Sequence, residues 1–305
     1  MATALHITLL KTVVLKEFPS GSAMEFFNDR LYLIGDDARQ IAVLDSAYEP
    51  IDYILLFESD ERRISKIEKV DLEASAIIQQ NGQAHLLAIG SASRSLRERV
   101  ILLSLPGNAG STFEIFDTKK FTSRLSAARV PEINIEGAAT VGDQLVLSNR
   151  GNKNHPDNLL FITSPQYFLE QDTTPLQILK IQMPVQDFPI GISALSYHQP
   201  TDTLYFTASV EQTLNAFDDG VIGDSWLGII TQISTRLQEL VIEPDGLLNL
   251  TKTDIAFNRQ KIESICFEYQ KGPDIIAHLV SDNDDGESNL FKVQISVVTG
   301  EIAAG

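Results

Sequence analysis

The chain has 305 residues, of which 43% are hydrophobic and 21% charged, and its 41 acidic against 24 basic side chains leave a net charge of −17 at pH 7. That length holds one large domain or two average ones, and the composition is that of a globular protein. So negative a balance repels phosphate backbones and anionic membrane surfaces, which argues against nucleic acid and membranes as partners.

The N-terminal run "HITLLKTVVLKEF" reads as a strand whose apolar course is broken by Lys11 and Lys16. It has neither the uninterrupted core nor the small-residue cleavage site of a signal peptide, so the cytoplasm is the expected location, unless a secretory signal was trimmed. No segment approaches the ~18 apolar residues of a membrane span. Next comes a unit of four strand-like runs, "SAMEFF", "RLYLIGDD", "QIAVLD" and "IDYILLF". After the charged connection 59–69 the pattern returns as "LEASAII", "AHLLAIGS", "RVILLSL" and "TFEIFD". A third unit reads "IEGAATV", "DQLVLSNR", "NLLFIT" and "LQILKIQM", and a fourth "GISALSY", "DTLYFTAS", "SWLGIITQI" and "LQELVIEP". The fifth has only three runs, "IESICFEY", "DIIAHLVSD" and "NLFKVQIS". Val, Ile, Leu and aromatic residues fill these runs, and turn residues such as Asn28-Asp29, Asn81-Gly82 and Gly142-Asp143 join first to second runs. The ten-residue helical patterns of a βαβ fold are absent.

Five units of about 61 residues match four-stranded propeller blades. We therefore expect one all-β domain over 1–305, a five-bladed β-propeller. The unpartnered N-terminal run supplies the missing outer strand of the fifth blade and removes two exposed edges. Six blades are the alternative, if 246–257 ("GLLNLTKTDIAF") belongs to a degenerate blade.

First strands of a propeller line its channel, so their starts form one column: Gly21, Glu73, Glu136, Gly191 and Glu263. The ends of the second strands form another: Asp36, Ser91, Arg150, Ser209 and Asp282. Both converge on one mouth with Asn149 and the loops 150–158, 210–225 and 282–288. Three glutamates on a narrow ring repel unless a proton or cation relieves them. Glu73, Glu136 and Glu263, helped by Asn149 and Asp282, are the candidate ligands for a hard cation such as Ca²⁺. The same acids could instead seal blade to blade. Arg150 is placed to pair with them or to clamp an anionic group, and His155 is a candidate general acid or base. Cys266, the one cysteine, stands between Ile265 and Phe267 as a buried thiol and permits no intrachain disulfide. No GxSxG, P-loop, GxGxxG, HExxH or CxxC motif occurs.

The segments "DLEASAI", "NIEGAAT" and "KIESICFE", each followed by a strand ending in Ser, Asn or Asp, resemble the phytase-like or esterase-like propeller group. That resemblance implies calcium near the channel mouth and ester or phosphoester hydrolysis, with Glu136, Glu263, Asn149 and Asp282 carried over as metal ligands. Two functions follow. One is a metal-dependent hydrolase of a small phosphoester, ester or lactone, with Glu136, Arg150 and His155 as its catalytic set. The other is a non-catalytic propeller that binds a small molecule or protein partner at the mouth.

Overall fold

In the computed structural model, which describes residues 2–211, 220–283 and 286–300, the strands form five sheets arranged as a five-bladed propeller. The N-terminal strand is β1 (Ala2–Leu15). Blade one holds β2 (Gly21–Phe27), β3 (Arg30–Gly35), β4 (Gln40–Leu44) and β5 (Pro50–Leu55). Blade two holds β6 (Leu72–Gln80), β7 (Gln83–Gly90), β8 (Arg99–Ser104) and β9 (Phe113–Asp117). Blade three holds β10 (Ile135–Val141), β11 (Gln144–Asn149), β12 (Asn158–Thr163) and β13 (Gln177–Ile181). Blade four opens with β14 (Ile190–His198), β15 (Thr203–Glu211) and β16 (Ile222–Thr231). Blade five is β19 (Ile262–Lys271), β20 (Asp274–Asp282) and β21 (Ser288–Gly300), completed by β1 lying antiparallel on β21. The N-terminal strand thus closes the ring, as the strand count predicts.

The hairpins are set by their turn residues. Asn28 and Asn81 have φ of 49° and 52°, followed by Asp29 at 59° and Gly82 at 77°, so both loops have the double positive φ of a type I′ turn. Gly142 and Gly272, at 62° and 63°, supply the single positive φ that opens the next two-residue loops. The apolar faces then meet between blades. Five buried clusters occupy the five seams: Leu72 with Leu86 and Ile41 between blades one and two, for example, and Met24 with Val280 and Leu290 between blades one and five.

Two elements depart from the sequence reading. The run "LQELVIEP" was expected to form the outer strand of blade four. Instead, β17 (Val241–Ile242) pairs in parallel with β13 and extends blade three, with Ile242 and Leu237 buried in the seam between the two blades. The outer strand of blade four is β18 (Gly246–Asn249), from the segment weighed for a sixth blade. The second departure is helix α1 (Lys119–Ala127), whose Phe121 and Leu125, four residues apart, are buried between blades two and three. No helix among the described residues is long and apolar enough to cross a membrane.

The first strands approach closely at the axis because small residues occupy one level in all five: Ala23, Ala74, Gly137, Ala194 and Ser264. A Cβ on Gly137 would stand 2.7 Å from Leu195 N and 2.8 Å from Ala194 C, backbone atoms of the next blade. Gly137→Ala is therefore expected to destabilise by about 2–3 kcal/mol through forced backbone displacement. An unchanged urea midpoint would show that the axis gives way freely.

Candidate functional site

Each first strand carries a β-bulge near its start, and the bulge decides which side chain turns toward the channel. The pairing skips Ser22 in β2, Glu73 in β6, Glu136 in β10, Ser193 in β14 and Glu263 in β19. The column is therefore Ser22, Glu73, Glu136, Ser193 and Glu263. Gly21 and Gly191, expected from the sequence at this level, lie one and two residues earlier, because an unpaired residue displaces the count. The two serines bond across seams: Ser22 Oγ donates to Leu72 O at 2.5 Å, and Ser193 Oγ to Ile262 O at 2.6 Å. Where serine seals the seam, glutamate in the other three blades leaves a carboxyl facing inward. Glu73, Glu136 and Glu263 line one narrow cavity of about 10 Å³, with Glu25 from further along β2.

The second-strand column Asp36, Ser91, Arg150, Ser209 and Asp282 follows directly from the strand pairing. Arg150 is its organising member. Its guanidinium donates to Glu136 Oε2 at 3.2 Å and to Ser209 Oγ at 2.8 Å, lies 3.3 Å from Glu211, and stands 3.9 Å from Glu263. It lies across Gly191, where an added Cβ would meet Arg150 Nε at 2.6 Å, so the glycine is the seat of the arginine. Lys261 Nζ adds contacts of 2.7 Å to Glu263 and 3.5 Å to Glu211. Two cations thus face three buried carboxyls. Burial tends to raise Glu211, but Lys261 and Arg150 outweigh it and hold the group below its ordinary value. The surplus negative charge falls on Glu263: burial and the Glu136 charge push its carboxyl up to about 7, against Lys261 and Arg150. One of its oxygens, Oε2, is buried without a hydrogen bond.

A second cluster joins blades one and two. The carboxylates of Asp36, Asp71 and Glu73 lie within 4.8 Å of one another and could hold a metal ion. Lys69 Nζ already sits between two of them, bonded to Asp36 and 2.8 Å from Asp71, while Arg97 reaches Asp71 at 2.5 Å and Arg63 reaches Asp37 at 2.7 Å. Burial, with Asp71, Asp36 and Glu136 nearby, holds Glu73 well above the usual carboxyl range. Burial also raises Asp36 to about 7 despite Lys69.

The other predicted residues are placed as follows. Asn149 is engaged at both ends with backbone, its Oδ1 accepting from Asn134 N at 2.7 Å and its Nδ2 donating to Glu132 O at 3.1 Å. Asp282 is buried at the end of β20. His155 is exposed on the 150–158 loop. The predicted mouth loops 210–225 and 282–288 fall partly outside the described residues. The ring of three glutamates does not fit a calcium ion beside Glu136 and Glu263, because the Arg150 guanidinium already supplies the countercharge there. Sequence reasoning missed Glu211, Lys261, Lys69 and Arg97. For Lys261 a signal was present, since it stands two residues before Glu263, immediately ahead of the same strand.

The family described as "Family of unknown function (DUF6929)" matches residues 17–295. None of the curated proteins compared with the chain matches it. Among solved structures, glutaminyl cyclase of Myxococcus xanthus is similar in fold: 13% identity, TM-score 0.54, over 96% of this chain and 97% of that one. A member of the DUF4221 family from Bacteroides vulgatus aligns over 96% of this chain and 99% of its own at 10% identity, TM-score 0.45. A GH43 β-1,3-galactosidase aligns over 90% of each chain at 10% identity, TM-score 0.47.

Proposed function

The chain belongs to DUF6929, a family of unknown function, and from that premise we propose that it is a hydrolase of a small ester, lactone or phosphoester acting at the channel mouth. The observation that carries this reading is a pair of carboxyls, Glu73 and Glu263, that line one cavity with room for about one water molecule. Burial and the acids around it hold Glu73 well above the usual carboxyl range, and burial and the Glu136 charge push Glu263 up to about 7. Glu263 has Lys261 at 2.7 Å, which favours its carboxylate, and that contrast assigns Glu263 as the base and Glu73 as the acid. Glu263 as carboxylate takes a proton from the attacking water, and Glu73 as carboxylic acid gives one to the leaving oxygen. Arg150 and Lys261 supply positive charge to the oxyanion that develops. Glu136 orients Arg150, and His155 takes no step.

A calcium ion held by Glu73 would ionise it, so calcium is an alternative to the Glu73 acid and not an addition to it. Of the acids here, the trio Asp36, Asp71 and Glu73 is the better seat for such an ion, which would have to displace Lys69. The likeness to glutaminyl cyclase adds one further substrate to try, a peptide with N-terminal glutamine, but at 13% identity it brings no residue roles.

The test is a screen of nitrophenyl esters, lactones, nitrophenyl phosphate and a glutaminyl peptide, with and without millimolar Ca²⁺, across pH 5–9. Turnover is expected to rise with pH through about 7 as Glu263 ionises. Glu263→Gln should lower kcat/KM at least ~100-fold and abolish that rise. Equal rates for wild type and Glu263→Gln on every active substrate would overturn the assignment. A second reading, a non-catalytic binding propeller, is favoured by how fully Arg150 and Lys261 are engaged with internal acids. It is the one left if no substrate turns over.

A further inference from the structure

The opposite end of the channel opens into a funnel of about 410 Å³, on the side of the hairpin turns that join first to second strands. That volume is in the range of small-molecule sites. Its walls include the aromatic side chains of Phe26, Tyr197, Phe267 and Tyr269, with Leu195 and Ile77 between them. At the junction of funnel and channel stands Glu25, which lines both spaces.

Glu25 lies three residues beyond the bulge of β2. The strand pairing puts Ala76, Ala139, Ser196 and Cys266 at the same level of the other four blades. One blade of five therefore places an ionisable carboxyl here, and the small partners at this level leave room around it. Ser75 donates the hydrogen bond that Glu25 Oε1 accepts, at 3.1 Å. Among the described residues no cation forms an ion pair with Glu25, and burial pushes its carboxyl up to about 8 in spite of Ser75. The other acid of the wall, Glu268, is turned aside by a second bulge in β19 and is held by Lys292 at 2.5 Å and His278 at 3.1 Å. Burial lowers the pKa of His198, also in the wall, and keeps that ring neutral. The funnel thus presents one uncompensated carboxyl in an aromatic surround.

We propose that this funnel is a second binding site, distinct from the channel mouth, for a small organic cation: a primary or quaternary ammonium group carried on an apolar body. The ammonium supplies the countercharge that Glu25 lacks. The aromatic rings of Phe26, Phe267 and Tyr269 in the wall supply apolar surface to its body. An anion gains nothing from Glu25, whose ionisation it would oppose. A hard metal ion is poorly served, because it wants six or more oxygen ligands, and of the two carboxyls in the wall Glu268 is already held by Lys292.

Titration calorimetry with phenethylamine, phenyltrimethylammonium and 2-phenylethanol tests this on the whole chain. Both cations are expected to bind, and the neutral alcohol at least tenfold more weakly. Glu25→Gln should bring phenethylamine down to the alcohol's affinity, while Glu263→Gln at the mouth leaves it unchanged. Because the bound cation needs Glu25 as carboxylate, binding at pH 6.5 should release a proton. The measured heat then scales with the ionisation heat of the buffer, an effect that fades above pH 9. Equal affinity for amine and alcohol, or an unchanged affinity in Glu25→Gln, overturns the proposal. Loss of binding in Glu263→Gln alone overturns it as well, by moving the amine to the mouth. Should Glu25→Gln fail to fold, the amine-to-alcohol ratio and the proton release of the wild type decide.

Discussion

Replacing Arg150 by methionine is expected to destabilise the propeller by about 3–5 kcal/mol at pH 7.5, the cost of leaving buried acids without their cation. The guanidinium lies within ion-pair distance of Glu136, Glu211 and Glu263, and its side chain is only 7% exposed. Lys261 remains in the variant but reaches only Glu211 and Glu263. The loss should depend on pH in a definite sense. In the wild type, Glu263 is raised from 4.5 to about 7, so the folded chain keeps a proton that the unfolded chain sheds within that window. Its contribution therefore falls as pH climbs from about 4.5 to 7. Without Arg150 the buried carboxyls hold protons to still higher pH, and the decline continues past 7. Urea unfolding at pH 5.5 and 7.5 should show the deficit of Arg150→Met largest at the higher pH. Adding Glu263→Gln should recover part of it. Arg150→Lys should fall between, since one ammonium cannot span Glu136, Ser209 and Glu211 as the planar fork does. A deficit equal at both pH values would mean that Arg150 acts by packing alone.

This network also marks how far the sequence could be read. The repeat was legible because period-two apolar runs and turn pairs recur in order, and an orphan first strand matched a vacancy in the fifth unit. The three glutamates were legible as a set because each precedes an apolar run at the same point of its unit. The serines that complete their ring were not, since a bulge inserts one unpaired residue and breaks the simple count that led to Gly21 and Gly191. Lys69, Arg97 and Glu211 lie in connections or at strand ends, where no periodicity fixes which residue turns inward. The outer strand of blade four was misplaced for a related reason: "LQELVIEP" is as strand-like as "GLLN", and burial of Leu237 and Ile242 against blade three decided between them. Glu25 stood in plain view in "SAMEFF". Its isolation became visible only when register set it beside Ala76, Ala139, Ser196 and Cys266.

Removing β1 is expected to have the largest effect of any change considered. The strand pairs with β21 from Ala2 opposite Gly300 to Leu15 opposite Ser288, and its side chains enter two seams. Leu5, Ile7 and Leu9 pack into the cluster between blades four and five, and Val13 and Leu15 into that between blades five and one. Lys11 Nζ, donating to Ala47 O at 2.7 Å, ties the strand to the loop that carries Tyr48. Tyr48 in turn bonds His278 of β20 through its hydroxyl at 2.8 Å, and burial lowers that imidazole to about 3, so it stays neutral in the closed ring. At about 1.5–3 kcal/mol for a fully buried aliphatic side chain, buried Leu5 and the four half-buried residues together supply a large share of the stability of an ordinary domain. The cut also exposes the edge of β21, a long unpaired template for aggregation. The chain 17–305 should therefore show no cooperative thermal transition and should aggregate at concentrations where the parent is soluble. A synthetic 2–16 peptide added in trans should restore a transition whose midpoint rises with peptide concentration, because it binds only the closed ring. A shortened chain that melts within a few degrees of the parent would show that the ring holds without its clasp. The five seams would then have to carry the stability that the sequence assigns to closure.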